Sequence, residues 1–231
     1  MKEIFVSECP YCHTLIEGNW DWEKGRICIQ GYCDICKIFI LEDEANWRNK
    51  EECCYLAGYI TGLTDGDGTV CFTPKNVPYR KKQRYWRVAL KDKKILVRLQ
   101  KSLEAFEIYL VIKRFSKGIW KLESRKFQVL ERLREVFNYS NQLEYKRGWL
   151  AGIYDAEGNH HKANLRIYNF SLSLQSKVIR YAKEFDFKFY KQNYPSIKGN
   201  NVGLKGNKID KQRFFDIIQP VKKSYYATHT N

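Results

Sequence analysis

Beyond residue 50, apolar residues recur at helical spacing, and shorter runs of strand character lie between the helices. Leu56, Ile60 and Leu63 are spaced by four and three residues, which predicts a helix that ends at Gly68. The same spacing predicts helices over residues 94–106, 126–137, 146–156, 176–185 and 210–218. Strands are expected over residues 69–73, 84–90, 108–115, 119–122, 160–168 with part of 170–174, 187–192 and 201–204. The order helix, strand, strand, helix, strand, strand, helix therefore occurs twice, which predicts an α+β fold of two similar lobes with mixed, largely antiparallel sheets.

Two nine-residue segments share one sequence pattern. Residues 60–68 read Ile-Thr-Gly-Leu-Thr-Asp-Gly-Asp-Gly, and residues 150–158 read Leu-Ala-Gly-Ile-Tyr-Asp-Ala-Glu-Gly. Each is an apolar helical run that ends in an acid, a small residue, an acid and a glycine. The last acids, Asp67 and Glu157, are 90 residues apart, about the length of a small domain. The repeat predicts two lobes that each supply one carboxylate to a shared site.

Paired glycines precede these acids in both segments. Gly58 and Gly62 are four residues apart, as are Gly148 and Gly152, so each pair lies on one face of its helix. Glycine inside a helix costs up to about 1 kcal/mol relative to alanine, so two such positions in each helix indicate that close approach is needed. We therefore expect the two helices to pack backbone to backbone, with Asp67 and Glu157 side by side at their ends.

Both nine-residue segments resemble the LAGLIDADG motif of homing endonucleases, and a pair in one chain resembles the monomeric, two-motif form of that family. The resemblance covers roughly residues 55–222. It implies that the eighth motif positions, Asp67 and Glu157, bind a catalytic Mg²⁺, with Gly66 and Ala156 beside them as further ligands. It also implies hydrolysis of one phosphodiester in each DNA strand, with a short 3′ overhang.

The motifs depart from the family pattern at some positions but keep their acids. Thr61 and Thr64 replace the usual alanine and isoleucine in the first motif, and Tyr154 replaces isoleucine in the second. The sixth-position acids, Asp65 and Asp155, are expected to be local hydrogen-bonding or capping residues. The alternative for each motif is an ordinary helix end with a solvated carboxylate.

Basic side chains are expected around the acids and on the sheets. The resemblance implies basic residues beside the scissile phosphates. Lys121 and Lys205 each precede a helix in matching places of the two halves and are the predicted catalytic lysines, which would stabilise charge in the transition state. The paired sheets would lie in the major groove, where Arg, Asn and Gln suit base contacts. The candidate DNA contacts are Arg80, Lys82, Arg84, Arg87, Asn159, His161, Lys162, Asn164, Arg166, Lys188, Lys191 and Gln192.

Charge supports a polyanionic partner. The 231 residues carry a formal net charge of +15. Residues 1–54 hold 6 Lys and Arg against 11 Asp and Glu, whereas residues 55–231 hold 35 against 15. Basic charge is therefore concentrated in the part with the repeated motif, which favours a nucleic-acid partner, and the family resemblance implies that this partner is double-stranded DNA. A basic protein whose charges serve only for solvation is the alternative.

The N-terminal region carries a metal-binding pattern. Cys9 and Cys12 are followed, after 20 residues, by Cys33 and Cys36, a spacing typical of a structural Zn²⁺ site in a zinc ribbon. A metal would stabilise a segment that is too short to bury much core. Two disulfides or four free thiols are the alternatives, and Cys28 and His13 are possible replacement ligands in the cluster.

These patterns predict a zinc-ribbon-like domain over residues 1–50 and LAGLIDADG lobes over 51–145 and 146–231. The expected function is Mg²⁺-dependent, site-specific cleavage of double-stranded DNA by a monomer. The alternatives on the same fold are a maturase that binds intron RNA and a regulator that binds DNA without cutting it. No apolar run is long enough for a membrane span and the given sequence shows no charged-then-apolar secretion signal, so we expect a protein that is not secreted and stays in the cytoplasm or wherever the host DNA resides.

Overall fold

The computed structural model describes residues 4–23, 26–41, 48–71, 84–139, 142–161, 164–169, 171–192 and 201–222. The chain divides into two compact units, Met1–Cys54 and Tyr55–Asn231. The predicted positions Arg80, Lys82 and Lys162 lie outside the described residues.

The N-terminal unit contains one antiparallel sheet. Its strands are β1 (Phe5–Glu8), β2 (Leu15–Glu23), β3 (Arg26–Cys33), β4 (Ile38–Leu41) and β5 (Arg48–Asn49), in the order β4-β3-β2-β1-β5. The turn from β1 to β2 carries the first cysteine pair, and β3 and the turn that follows it carry the second. Cys9, Ile16, Cys33 and Ile40 are buried together, so the cysteines form part of this small core.

The second unit begins with the greater part of a long helix. Its first lobe consists of α1 (Lys50–Asp67), β6 (Gly68–Cys71), β7 (Tyr85–Leu90), α2 (Lys93–Glu104), β8 (Lys113–Ser116), β9 (Ile119–Ser124) and α3 (Phe127–Phe137). The sheet order is β6-β7-β9-β8, and α2 packs against β7 and β9. Trp86, Val88 and Leu122 are fully buried on this face because alternate strand residues point toward the helices.

The second lobe repeats this arrangement. It consists of α4 (Leu143–Glu157), β10 (Gly158–His161), β11 (Asn164–Tyr168), α5 (Leu172–Lys183), β12 (Phe189–Gln192), β13 (Asn201–Leu204) and α6 (Lys208–Ile218). The order β10-β11-β13-β12 matches that of the first lobe strand for strand. The turns after α2 and α5 also match, since Glu107 and Asp186 both adopt positive φ values of 55° and 60°. The predicted α+β fold of two similar lobes is confirmed.

The structure corrects four details of the predicted elements. All described strand pairings in these lobes are antiparallel, so the sheets are not mixed. Residues 160–168 contribute to two paired strands, and residues 108–112 are outside β8. Residues 172–174 are helical because the Ser171 side chain caps α5 by accepting a hydrogen bond from the Leu174 backbone N–H.

None of the helices in the described ranges has the length and apolar character that a membrane crossing requires.

Candidate active site

The two motif helices pack backbone to backbone, as their glycines predict. A Cβ atom added to Gly58 would lie 2.0 Å from the Tyr145 carbonyl oxygen, and one added to Gly148 would lie 1.9 Å from that of Tyr55. The second glycine of each helix approaches the other helix nearly as closely. A Cβ atom added to Gly62 would lie 2.2 Å from the Trp149 carbonyl oxygen. The small residues are therefore needed at the junction between the lobes.

This packing brings the ends of the two motifs together. A Cβ atom at Gly66 would lie 2.4 Å from the Ala156 Cβ and 3.3 Å from the Glu157 Cγ. The Asp67 side chain is exposed to solvent, and no described residue forms a hydrogen bond with its carboxylate. Glu157 is half-buried and accepts a hydrogen bond of 3.3 Å from the Asn169 side-chain amide. The two eighth-position acids thus lie at one place and remain available to a ligand.

The environment of the pair favours their neutral forms. Burial, reinforced by the neighbouring Asp67 carboxylate, raises the pKa of Glu157 to about 7. Desolvation by the surrounding atoms raises the pKa of Asp67, although its side chain remains accessible. The Lys222 ammonium acts in the opposite direction on both acids. Burial lowers the pKa of Lys222, and the surrounding carboxylates oppose that shift. The acid pair therefore carries an unfavourable concentration of negative charge that one lysine partly offsets.

The sixth-position acids have a different role. The fully buried Asp155 accepts a hydrogen bond of 2.9 Å from the Tyr59 hydroxyl, and Asp65 accepts one of 2.8 Å from the Trp149 indole N–H. Tyr59 and Trp149 occupy the same position in the two helices, each one residue after a packing glycine. The prediction of hydrogen-bonding residues is confirmed, but the bonds are not local: each acid is held by the motif helix of the other lobe.

A cation completes each of these contacts. The Arg98 guanidinium lies 4.5 Å from the centre of the Tyr59 ring, and the Lys177 ammonium lies 4.4 Å from the Trp149 ring. Lys177 also contacts the Asp65 carboxylate at 3.0 Å. Burial raises the pKa of Asp155, while its hydrogen bonds and Arg98 oppose the rise. The sixth-position acids are therefore part of the interface between the lobes, a role that, within the described residues, the eighth-position acids do not share.

The donor atoms at the motif ends fit a hard divalent cation. Asp67 and Glu157 offer accessible carboxylate oxygens, which Mg²⁺ prefers, and their mutual repulsion is relieved by a cation between them. The Ala156 carbonyl, predicted as a further ligand, instead accepts a hydrogen bond of 3.0 Å from Lys222 Nζ. The motif spacing did not reveal Lys222 or Asn169, and no local signal marks either residue as part of the site.

Lys121 and Lys205 do not occupy matching positions. Through the strand registers, Leu122 corresponds to Val202, so the counterpart of Lys121 is Asn201 and that of Lys205 is Arg125. The Lys121 ammonium contacts the Glu123 carboxylate at 3.2 Å, and the Lys205 side chain is exposed. The predicted pairing of the two lysines is wrong, while a catalytic role for either stays a prediction.

The sheet face opposite the helices carries many of the candidate DNA contacts. Arg87 pairs with Glu123, and Arg166 pairs with Gly203 in the corresponding place of the second lobe. The alternation of side chains places these residues on the face away from the buried core. By the same alternation, the predicted positions that share this face in the second lobe are Asn159, His161, Asn164, Lys188 and Gln192.

Two candidates lie on the other face. Arg84 shares the side of the buried Trp86, and its guanidinium lies 5.6 Å from the centre of the Phe127 ring. Lys191 pairs with the buried Val202 but is itself exposed at the edge strand. The structure therefore separates these two residues from the open face.

The four predicted zinc ligands converge in the N-terminal unit. Cys9 and Cys36 Sγ atoms are 3.8 Å apart, those of Cys12 and Cys33 are 3.5 Å apart, and all four lie within 4.8 Å of one another. Tetrahedral Zn²⁺ with bonds of about 2.3 Å requires sulfur atoms roughly 3.8 Å apart, so the cluster is compatible with zinc. Hydrogen bonds with Thr14 lower the pKa of the Cys12 thiol, whereas the hydrogen bond with Cys12 and burial raise the pKa of the Cys36 thiol.

The two cysteine turns have the same backbone geometry. His13 and Lys37, the residues after each pair, adopt φ values of 59° and 58°. Their backbone N–H groups donate to the carbonyls of Cys9 and Cys33 at 2.9 and 2.8 Å. His13 is not among the clustered side chains, and the Cys28 side chain lies outside the described set. The four cysteines thus form the cluster without a replacement ligand from the described residues.

Comparison with solved structures identifies the fold. I-DmoI in complex with DNA and Mn is 17% identical, with a TM-score of 0.53 over 74% of this chain and 99% of that chain. Mesophilic variants of the homing endonuclease I-DmoI give 18% identity and a TM-score of 0.52 over 72% and 96%. The N-terminal LAGLIDADG domain of DUF199/WhiA gives 12% identity and 0.54 over 78% and 93%. No protein-family model and no curated protein matches the sequence. The chain has the two-lobed LAGLIDADG fold.

Proposed function

We propose that this protein is a divalent-metal-dependent, site-specific endonuclease that cuts both strands of double-stranded DNA. The observation that carries the proposal is the convergence of Asp67 and Glu157, one from each motif, with accessible carboxylates. The net basic charge of the unit that holds them and the Arg87 and Arg166 positions on the open sheet faces support DNA as the substrate.

The residues of the chain have distinct roles in this reaction. Asp67 and Glu157 would hold the metal, which would supply a Lewis acid for activation of water and for stabilisation of the departing 3′ oxygen. Asn169 orients the Glu157 carboxylate by donating to it at 3.3 Å. The open sheet faces place arginine and amide side chains for phosphate and base contacts. Because the two lobes differ in sequence on these faces, the target is a long asymmetric site.

Zinc has a structural role in the proposed protein. The Cys9, Cys12, Cys33 and Cys36 cluster would hold it within the small core of the N-terminal unit. The four cysteines would supply four thiolate ligands and leave no open position, as in structural rather than catalytic zinc sites.

The test is cleavage of a randomised double-stranded DNA library with Mg²⁺ or EDTA, followed by sequencing of the ends. Wild type should produce Mg²⁺-dependent ends that share one long motif, and Asp67→Asn and Glu157→Gln should not. Asp216→Asn is the control, because this exposed carboxylate on α6 accepts a hydrogen bond only from Gln212 among the described residues. DNA binding without cuts would replace the proposal with a non-cleaving regulator, and preference for structured RNA would replace it with a maturase.

A further inference from the structure

The chain that follows the last helix returns to the acid pair. Gln219 turns it with a φ of 56°, after which the backbone N–H groups of Val221 and Lys222 both donate to the Asp155 carboxylate at 2.9 Å. The Tyr55 hydroxyl also donates to the Ile218 carbonyl at 3.0 Å. Three hydrogen bonds, to Asp155 on α4 and from Tyr55 on α1, therefore fix the position from which the Lys222 side chain extends.

The Lys222 ammonium is directed at the oxygen atoms around Glu157. Its Nζ donates to the Ala156 carbonyl at 3.0 Å and to the Gly158 carbonyl at 3.1 Å, the two carbonyls on either side of that acid. The carboxylates of Asp155, Asp67 and Glu157 stabilise the charged form of this ammonium, and that of Asp92 does so to a smaller extent. A half-buried cation thus occupies a set of oxygen donors of the kind that hard metal ions bind.

The first lobe has a different arrangement in its described residues. Asp65, which corresponds to Asp155, accepts hydrogen bonds from the side chains of Trp149 and Lys177 rather than from a returning backbone segment. Lys177 consequently contacts a sixth-position acid and not the carbonyls beside the eighth. Among the described residues, the lysine that binds the carbonyls beside the acid pair therefore comes from the second lobe.

We propose that Lys222 is a tethered counter-ion of the acid pair that competes with a divalent cation for the Glu157 side of the site. This inference rests on the proposed metal site at Asp67 and Glu157. Both acids lie at the C-terminal ends of helices, where the helix dipoles add to their mutual repulsion. The ammonium offsets this repulsion and lets the two lobes close without metal. The same positive charge then opposes a metal ion, because two cations a few ångströms apart repel in a partly buried site.

Thermal unfolding of the full chain across a Mg²⁺ titration tests this competition. Wild type should gain stability as Mg²⁺ rises, because the ion binds only the folded protein. Lys222→Met should melt at a lower temperature in EDTA, and its stabilisation should reach half its maximum at an Mg²⁺ concentration at least about tenfold lower than wild type. Lys222→Gln should shift the midpoint in the same way, while Lys222→Arg should stay near wild type.

Lys177→Met is the matched control. It removes a lysine that contacts a motif acid, but its ammonium does not bond to the carbonyls beside Glu157. Its melting temperature should fall without a change in the Mg²⁺ midpoint. Equal midpoints for wild type and both neutral Lys222 variants would overturn the competition while leaving the metal site in place. No Mg²⁺ response in any variant, including wild type, would remove the metal site and this inference together.

Discussion

Replacing Gly62 with alanine tests whether the lobes are joined by direct contact of the two helix backbones. The new Cβ would lie 2.2 Å from the Trp149 carbonyl oxygen and 3.0 Å from the Ile153 backbone nitrogen. Favourable carbon-to-oxygen contacts lie at about 3.3–3.6 Å, so the helices would have to separate by roughly an ångström. The neighbouring atoms are backbone atoms, which cannot move away by changing a rotamer.

Two opposing terms set the magnitude of this change. Alanine is better than glycine inside a helix by about 1 kcal/mol. Overpacking of a tight interior costs about 1–3 kcal/mol, and a clash with backbone should lie at the upper end of this range. The net destabilisation should be about 2 kcal/mol. In a chain of this size that lowers the melting temperature by about 4–8 °C.

Thermal unfolding followed by tryptophan fluorescence measures this change, with Gly203→Ala as the control. The added Cβ there meets the Gln192 side-chain amide nitrogen at 2.7 Å, and that flexible group can rotate away. Because the separation also moves Asp67 relative to Glu157, Mg²⁺-dependent cleavage by Gly62→Ala should fall by up to about 100-fold. If Gly62→Ala has the same melting temperature as Gly203→Ala and wild type, the helices are not in backbone contact. The derivation of the site from glycine spacing would then fail.

Three further outcomes are expected. In EDTA, stability should fall as pH rises from about 4.5 to 7, since folded Glu157 retains a proton that the unfolded chain releases. Thermal unfolding against pH should show a shallower slope for Glu157→Gln, and an unchanged slope would contradict the raised pKa. Native mass spectrometry should find one zinc per wild-type chain and none in Cys9→Ser; retention of zinc by the variant would exclude the four-cysteine site. Arg87→Ala should weaken DNA binding and reduce the salt slope by about one, whereas Arg84→Ala should leave that slope unchanged. Fluorescence anisotropy at several salt concentrations separates these two arginines, and equal slopes would refute the assignment of faces.

The part of the site that depends on local spacing could be predicted from the sequence. Glycines four residues apart define a helix face, and a repeated face that only glycine can form requires close packing. The position of Gly62 therefore indicated the helix junction, and the acids five residues later followed from it. The cysteine spacing likewise encodes two turns of fixed geometry, which the matching conformations of His13 and Lys37 display.

The strand registers and the position of the C-terminal residue Lys222 beside the acids could not be predicted from local spacing. Lys121 and Lys205 both precede helices, but Lys121 lies within β9, opposite Ala89, whereas Lys205 follows the last residue of β13. Apolar patterns locate strands without fixing their partners or their registers. Lys222 follows a helix and a proline in the sequence, and long-range hydrogen bonds, among them those to Asp155, bring it to the acids.

The contacts of the sixth-position acids explain why the two motifs keep the same acids while the surrounding residues differ. Tyr59 donates to Asp155 and Trp149 donates to Asp65, so two different aromatic residues perform one task across the junction. Removal of either donor leaves a carboxylate at the interface with fewer partners, which costs more than the lost bond when the acid is buried, as Asp155 is. In each lobe, the sixth-position carboxylate therefore depends on the other lobe for a hydrogen-bond donor. The hydrogen bonds between the lobes are made by the sixth-position acids. Among the described residues, the eighth-position acids make no hydrogen bond that joins the lobes, so their carboxylates can bind a ligand.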